Sequence, residues 1–139
     1  MGVFYKKIKY ESLKPKQQEI YNFQRVSAIF AEYGYSVTLL RDDIEFADFV
    51  AVPFLREKIT KPIFVQLKGG LTLQKKYLKK ELYICFFDKK SKAWYLYPHD
   101  ELYFIWKQKK DVEKHDYKVW GESAVPKWAE TPLEKYKID

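Results

Sequence analysis

The sequence predicts one α/β domain in which helices flank a mixed central β-sheet of about four or five strands. Three observations predict this fold. A long segment with helical periodicity comes first, five short apolar runs follow it, and a second helical segment comes after the last run. At 139 residues, with 47% hydrophobic and 19% aromatic residues, the chain can form one substantial core and is not expected to be disordered.

The first element is an amphipathic helix predicted over Ser12–Tyr33. Ser12 is a candidate N-cap, Pro15 is tolerated in the first turn, and Gly34 is a typical C-terminal stop. The helix has an apolar stripe with the expected spacing. Its members are Phe23, Val26, Phe30 and Tyr33.

The apolar runs after this helix predict the strands of the sheet. They are Ser36–Leu40, Phe46–Pro53, Pro62–Lys68, Leu82–Phe87 and Ala93–Tyr97. Asp42 and Asp43 are expected in a turn, where their side chains bond to nearby backbone, with a metal-ligand role as the alternative. Residues Gln74–Lys80 predict a short helix or a basic loop, and Pro98–Trp106 predicts a helix.

The chain divides into a domain at residues 1–106 and a C-terminal arm at residues 107–139. The arm is polar and mixed in charge, and Trp120 and Trp128 are irregularly spaced within it. Large aromatic residues in such a segment can mark an interface. We therefore expect the arm to pack on the domain or on a partner subunit.

Several protein classes are not expected from this composition. The single cysteine, Cys85, excludes an internal disulfide and a cysteine-cluster metal site, and its apolar neighbours predict a core residue. No apolar run approaches the roughly 20 residues that span a bilayer, and residues 1–10 have no signal-peptide pattern. A cytoplasmic location without a membrane partner is the expectation.

Polar residues interrupt two otherwise apolar strands. Asp48 lies within Phe46–Pro53, and Gln66 and Lys68 lie within Pro62–Lys68. Ionised groups are rarely buried without a partner, because removing them from water is costly. Since side chains alternate along a strand, Gln66 and Lys68 project to the same side. If the two strands are neighbours, all three polar groups converge.

An Asp on one strand followed by Gln-x-Lys on the next resembles the PD-(D/E)XK nuclease superfamily. Asp48 and Lys68 match the family Asp and Lys, Gln66 replaces the more common acid, and Ala47 replaces the Pro. The likeness covers roughly residues 15–106. It includes the run from Trp94 to Leu102, and it looks similar to group I intron-associated and small resolvase-like endonucleases.

The resemblance implies a restriction-endonuclease-like fold and metal-dependent hydrolysis of DNA phosphodiester bonds. Mg²⁺ or Mn²⁺ would be held by Asp48, Gln66 and the backbone carbonyl of Leu67, with Glu19 contributing directly or through water. Lys68 would orient the attacking water or stabilise the phosphorane charge. The alternative for Glu19 is an acid favoured near a helix N-terminus by the helix dipole. Cutting both strands with one small domain further implies a homodimer.

The basic residues next to this motif predict contact with nucleic acid, expected to be DNA. The chain has a net charge of +7, and residues 68–80 contain five lysines and no acid. The candidate binding residues are Lys75, Lys76, Tyr77, Lys79 and Lys80. The alternatives are a solvated lysine face for this segment and a core anchor for Tyr77.

Two other classes of function remain open from the sequence. The neutral Gln66 favours a nuclease-fold module that binds nucleic acid without cleaving it. A protein-interaction domain would instead use an aromatic surface around Trp94, Trp120 and Trp128.

Overall fold

The computed structural model describes residues 2, 5–44, 46–54, 61–109, 119–122 and 124–139. It is an α/β fold with a mixed sheet flanked by helices, which confirms the predicted fold class. The helices are α1 (Pro15–Glu32), α2 (His99–Lys109) and α3 (Lys127–Glu134). The strands are β1 (Tyr35–Ile44), β2 (Ala47–Pro53), β3 (Ile63–Lys68), β4 (Leu71–Gln74), β5 (Leu82–Asp88), β6 (Ala93–Pro98), β7 (Val119–Glu122) and β8 (Lys137–Ile138).

The main sheet has six strands in the order β1-β2-β3-β5-β6-β8. Strands β3 and β5 are parallel, with Gln66 opposite Ile84, and the other neighbouring pairs are antiparallel. A parallel pair needs a crossover connection. Residues 69–81 supply it and include β4, which pairs with β7 in a separate two-stranded sheet.

Helix α1 begins later than the sequence predicted. Ser12 is not its N-cap, because Ser12 lies in a 3₁₀ turn and its hydroxyl donates to the Lys9 carbonyl at 2.6 Å. The helix instead begins at Pro15, and the Gln17 side chain accepts a hydrogen bond from the Lys14 N–H at 2.9 Å. It ends before Gly34, whose φ of +85° is the left-handed conformation that glycine adopts easily.

Strand β1 is longer than predicted. Asp42 and Asp43 lie inside it rather than in a turn, because the strand continues to Ile44. The pairing of β1 with β2 is irregular between Leu39 and Ile44, so this end of the strand is bulged.

One face of the sheet packs against α1. Val26 and Phe30 of the helix are buried against Phe49 of β2 and Val65 of β3, with Cys85 of β5 in the same cluster. Cys85 is fully buried, and burial raises the pKa of its thiol. It is therefore a core residue, as the sequence predicted. This face is referred to below as the α1 face.

The opposite face of the sheet, called here the second face, packs against α2, α3 and β4. Its buried cluster contains Leu71 and Leu73 of β4, Leu102 and Trp106 of α2, and Ala129 and Leu133 of α3. The described part of the C-terminal arm thus contributes to the same core as residues 1–106. It also extends the sheet, because β8 pairs with β6.

No helix among the described residues is both long and apolar enough to cross a membrane.

Candidate active site

Asp48 and the Gln66–Lys68 segment lie on neighbouring strands. In the antiparallel pairing of β2 with β3, Ala51 lies opposite Ile63 and Phe49 lies opposite Val65. Asp48 and Gln66 are the next residues of the two strands. The structure therefore brings together the two strand ends that carry the predicted motif.

The Asp48 side chain closes this end of the β2–β3 pair. Its Oδ2 accepts a hydrogen bond from the backbone N–H of Leu67 at 2.7 Å. A continued ladder would satisfy that N–H with a backbone carbonyl of β2, so the carboxylate takes the place of a strand contact. The Leu67 carbonyl leaves β3 on the same edge as its N–H and so faces the same strand end.

The three polar side chains share the second face of the sheet. Phe49 and Val65 pack in the cluster of the α1 face. Side chains alternate along each strand, so Asp48, Gln66 and Lys68 lie on the opposite side. The alternation thus places all three residues on one face of the sheet.

The amide oxygen of Gln66 is buried and has no hydrogen-bond partner among the described residues. A buried acceptor without a partner costs about 1–3 kcal/mol. The Asp48 carboxylate, the Gln66 amide oxygen and the Leu67 carbonyl are all oxygen donors, the type that Mg²⁺ and Mn²⁺ prefer. Together these three groups would offer such an ion one charged oxygen ligand and two neutral ones.

The ammonium of Lys68 lies over an aromatic ring. Its Nζ is 5.7 Å from the centroid of Tyr77. The Nζ of Lys76 is 5.4 Å from the same ring and 5.2 Å from that of Phe46. Such contacts contribute about 0.5–2 kcal/mol each. Two lysines therefore converge on Tyr77 next to the motif.

Phe46 is in a strained conformation two residues before Asp48. Its φ is +70°, which is unusual for an aromatic residue. Its ring packs edge-on against Tyr77, with centroids 5.4 Å apart. Strain of this kind persists only where the surroundings hold it, and it concentrates at functional sites.

The basic segment, Lys75–Lys80, presents its lysines and buries its tyrosine. Lys75, Lys76, Lys79 and Lys80 are exposed. Tyr77 is only 2% exposed and belongs to the core of the second face. Its ring is therefore not available to stack on a sugar, because the 3₁₀ turn at Lys75–Tyr77 directs it inward. Tyr77 occupies the position of a core anchor that supports the lysines.

Glu19 lies on α1, one helical turn before Phe23, which packs on the α1 face. Phe23, one helical turn after Glu19, has its ring 5.5 Å from that of Phe49. The Glu19 side chain is 69% exposed and pairs with Lys16 at 3.2 Å. The Glu19 carboxylate therefore faces solvent beside Lys16.

His99 and Asp100 were not among the residues predicted from the sequence as site residues. His99 is fully buried; its Nε2 accepts from the Gln74 N–H at 3.0 Å, and its Nδ1 lies 3.0 Å from Oδ1 of Asp100. Burial lowers the pKa of His99, although Asp100 opposes that effect. The pair contacts the basic segment, and its only sequence signal is a His-Asp dipeptide at a helix start.

In the structure, Trp94 of the aromatic surface predicted for protein interaction is buried. Trp94 is 8% exposed and packs in the cluster of the α1 face. Trp128 is partly buried against the core of the second face. The side chain of Trp120 is outside the described residues.

Within the described ranges, no three His, Cys, Asp or Glu side chains form a group that could hold a metal ion. A site at Asp48 would therefore rely on uncharged oxygen donors as well. No protein-family model, curated protein or solved structure matches the chain.

Proposed function

We propose that the protein is a metal-dependent endonuclease of the PD-(D/E)XK superfamily that hydrolyses DNA phosphodiester bonds. One observation carries this proposal. Asp48 binds the backbone of the Gln66–Lys68 segment at 2.7 Å, next to a buried amide oxygen with no partner among the described residues. A purely structural site would gain nothing from that orphaned oxygen.

The residues of the site have distinct roles in this reaction. Asp48, the Gln66 oxygen and the Leu67 carbonyl would hold Mg²⁺ or Mn²⁺, and Glu19, which is exposed on α1, would contribute through water. When bound, the ion would supply Lewis-acid activation of the phosphate and an activated water. Lys68 would orient the attacking water or stabilise the negative charge that develops on the phosphate.

The surroundings of the site support a polyanionic substrate. The exposed lysines of the basic segment begin seven residues after Lys68. On the same face, Phe64 of β3 and Val52 of β2 are partly exposed, so this part of the sheet is accessible. A cation-rich, open surface next to the motif is suited to a phosphate backbone. Cleavage of both strands of a duplex would follow from a two-fold homodimer.

A second candidate function is a nuclease-fold module that binds DNA without cutting it. The neutral Gln66 supports it, together with the lack of a three-acid cluster in the described part of the chain. Such a module would keep the lysine contacts and bind the metal weakly.

A cleavage assay separates the two candidates. Plasmid, linear and branched DNAs are incubated with the protein and Mg²⁺, Mn²⁺ or EDTA. The variants are Asp48→Asn, which keeps an oxygen for the Leu67 N–H but removes the charge, and Lys68→Ala. Lys61→Ala is the matched control, because it removes an exposed lysine near the other end of β3.

We expect metal-dependent products from the wild type and Lys61→Ala, and a loss of about 100-fold or more in the other two variants. Binding without products in any metal would replace the enzyme with the binding module. Products that survive both substitutions would place the reaction elsewhere in the chain.

A further inference from the structure

Two adjacent residues of α2 bind the backbone just before the basic segment and near its end. The N–H of Gln74, just before the segment, donates to His99 Nε2 at 3.0 Å. The N–H of Lys79 donates to Asp100 Oδ2 at 2.9 Å. His99 and Asp100 are joined to each other through Nδ1 and Oδ1 at 3.0 Å. Four residues thus form one continuous hydrogen-bonded connection across the segment.

The direction of these hydrogen bonds is fixed. Because Nε2 of His99 accepts from a backbone N–H, the proton of the neutral ring must be on Nδ1. Nδ1 therefore donates, and Asp100 must accept from both His99 and Lys79. An ionised carboxylate has the acceptors for both, whereas an amide offers only one oxygen.

The segment adopts a conformation that needs such support. Lys79 has a φ of +62°, and Glu81 has a φ of +52°. A residue other than glycine in this region costs on the order of 1 kcal/mol or more, and it persists only where neighbouring structure holds it. One of these strained residues, Lys79, donates its N–H to Asp100.

The same pair supports the lysines at the motif. The His99 ring packs edge-on against Tyr77, with centroids 5.4 Å apart. Tyr77 in turn lies under the ammonium groups of Lys68 and Lys76. His99 therefore contacts the ring on which the candidate catalytic lysine rests.

We propose that His99 and Asp100 are positioning residues that hold the basic segment in the conformation that binds the phosphate backbone of DNA. This inference rests on the proposed function. The pair touches no substrate itself and acts through the backbone of Gln74 and Lys79 and through the ring of Tyr77.

Two substitutions in the same helical turn test this role. Asp100→Asn removes one acceptor and one negative charge from the pair. Glu101→Gln removes the same charge one residue later, where the carboxylate instead contacts Lys135 and Tyr136. Charge alone predicts slightly tighter DNA binding in both variants, since each makes the protein more positive. Loss of positioning predicts weaker binding in Asp100→Asn only.

The first readout is DNA affinity across a salt series, measured in EDTA with a short duplex. For Asp100→Asn we expect affinity to fall about fivefold or more, and the slope of log K against log salt to become shallower by about one unit per lost phosphate contact. Glu101→Gln should match the wild type or bind slightly more tightly. A role limited to stability would shift the urea midpoint and leave the slope of the folded protein unchanged.

The second readout is hydrogen exchange of the Gln74 and Lys79 amides in the free protein. Asp100→Asn should speed exchange at Lys79 by about tenfold or more, with Glu101→Gln unchanged. Equal affinity, slope and exchange in the two variants would overturn the inference. If the wild type binds no DNA, the proposed function fails, and the positioning of DNA contacts fails with it. The exchange data would then still show whether the pair holds the segment.

Discussion

The two faces of the sheet differ in what they bury. On the α1 face the fully buried residues are apolar, with Val26, Phe30 and Phe49 at the centre. The second face and its covering layer hold the buried polar residues of the described chain. These are Thr72, Gln74, Asp88 and His99. Gln66, with its buried amide oxygen, also lies on this face.

The buried polar groups of the second face are not all satisfied by the described residues. Asp88 and His99 are both satisfied, Asp88 by Ser91 and Lys90 and His99 by Gln74 and Asp100. The amide oxygens of Gln66 and Gln74 have no partner among the described residues. An apolar layer would avoid that cost. The α1 face follows the rule for a stable core, and the second face departs from it where the candidate site lies.

The largest expected effect is on the α1 face. Phe30→Ala removes a ring that packs against Phe49 at 5.6 Å and Tyr35 at 6.0 Å. The resulting cavity should lower the free energy of unfolding by about 3–5 kcal/mol, measured by urea denaturation. Cleavage per folded molecule should be unchanged. Phe104→Ala, at a ring that is 54% exposed, is the control and should change stability little. A loss of cleavage in Phe30→Ala protein that is still folded would contradict the assignment of the α1 face to stability alone.

A smaller effect is expected at Glu19, the predicted site residue that lies on the α1 face. Glu19→Gln should reduce the metal-dependent cleavage rate about tenfold, because its contribution through water is indirect. Stability should change by less than about 0.5 kcal/mol, since the pair with Lys16 is exposed. The measurement is the cleavage rate over a Mn²⁺ titration, with Glu32→Gln at the other end of α1 as the control. Equal rates in both variants would limit Glu19 to a helix-terminal role.

The smallest expected effect is a pH dependence of stability that comes from the second face. Burial lowers the pKa of His99, so the folded state holds the ring neutral against the opposing charge of Asp100, with the rings of Tyr77 and Tyr103 packed around it. The contribution of neutral His99 to stability is complete above the ordinary histidine pKa of about 6.5. It is lost as the pH falls toward the lowered pKa of His99 in the folded state. The urea midpoint should therefore decrease as the pH is lowered from about 7 to about 5.

His99→Gln is the matched variant for this pH dependence. Its side-chain oxygen can still accept the Gln74 N–H but does not titrate in this range. The fall in the urea midpoint should be smaller in this variant than in the wild type. An identical pH profile would assign the dependence to another group.

Local signals were sufficient to predict the two strands that carry Asp48, Gln66 and Lys68. Asp48, Gln66 and Lys68 interrupt apolar strands, and side-chain alternation was enough to place them on one face. Strand β4 was not predicted, because it has four residues and its partners are distant in sequence. Its backbone binds β7 on one side and the side chains of Tyr97 and His99 on the other.

The inward position of Tyr77 and the role of His99 also depend on distant contacts. Tyr77 lies among lysines, and no periodicity distinguishes a buried ring there from an exposed one. His99 binds an amide 25 residues away in the chain. Such contacts exist only once the crossover of residues 69–81 has packed on the second face.

The most direct test of the central claim is Gln66→Leu, with stability and cleavage measured on the same preparation. Leucine removes the buried oxygen without adding charge. If the second face retains that oxygen for function, the variant should be as stable as the wild type or more stable by about 1–2 kcal/mol, while its Mn²⁺-dependent cleavage falls by about 100-fold. Unchanged cleavage in a folded Gln66→Leu protein would contradict the account.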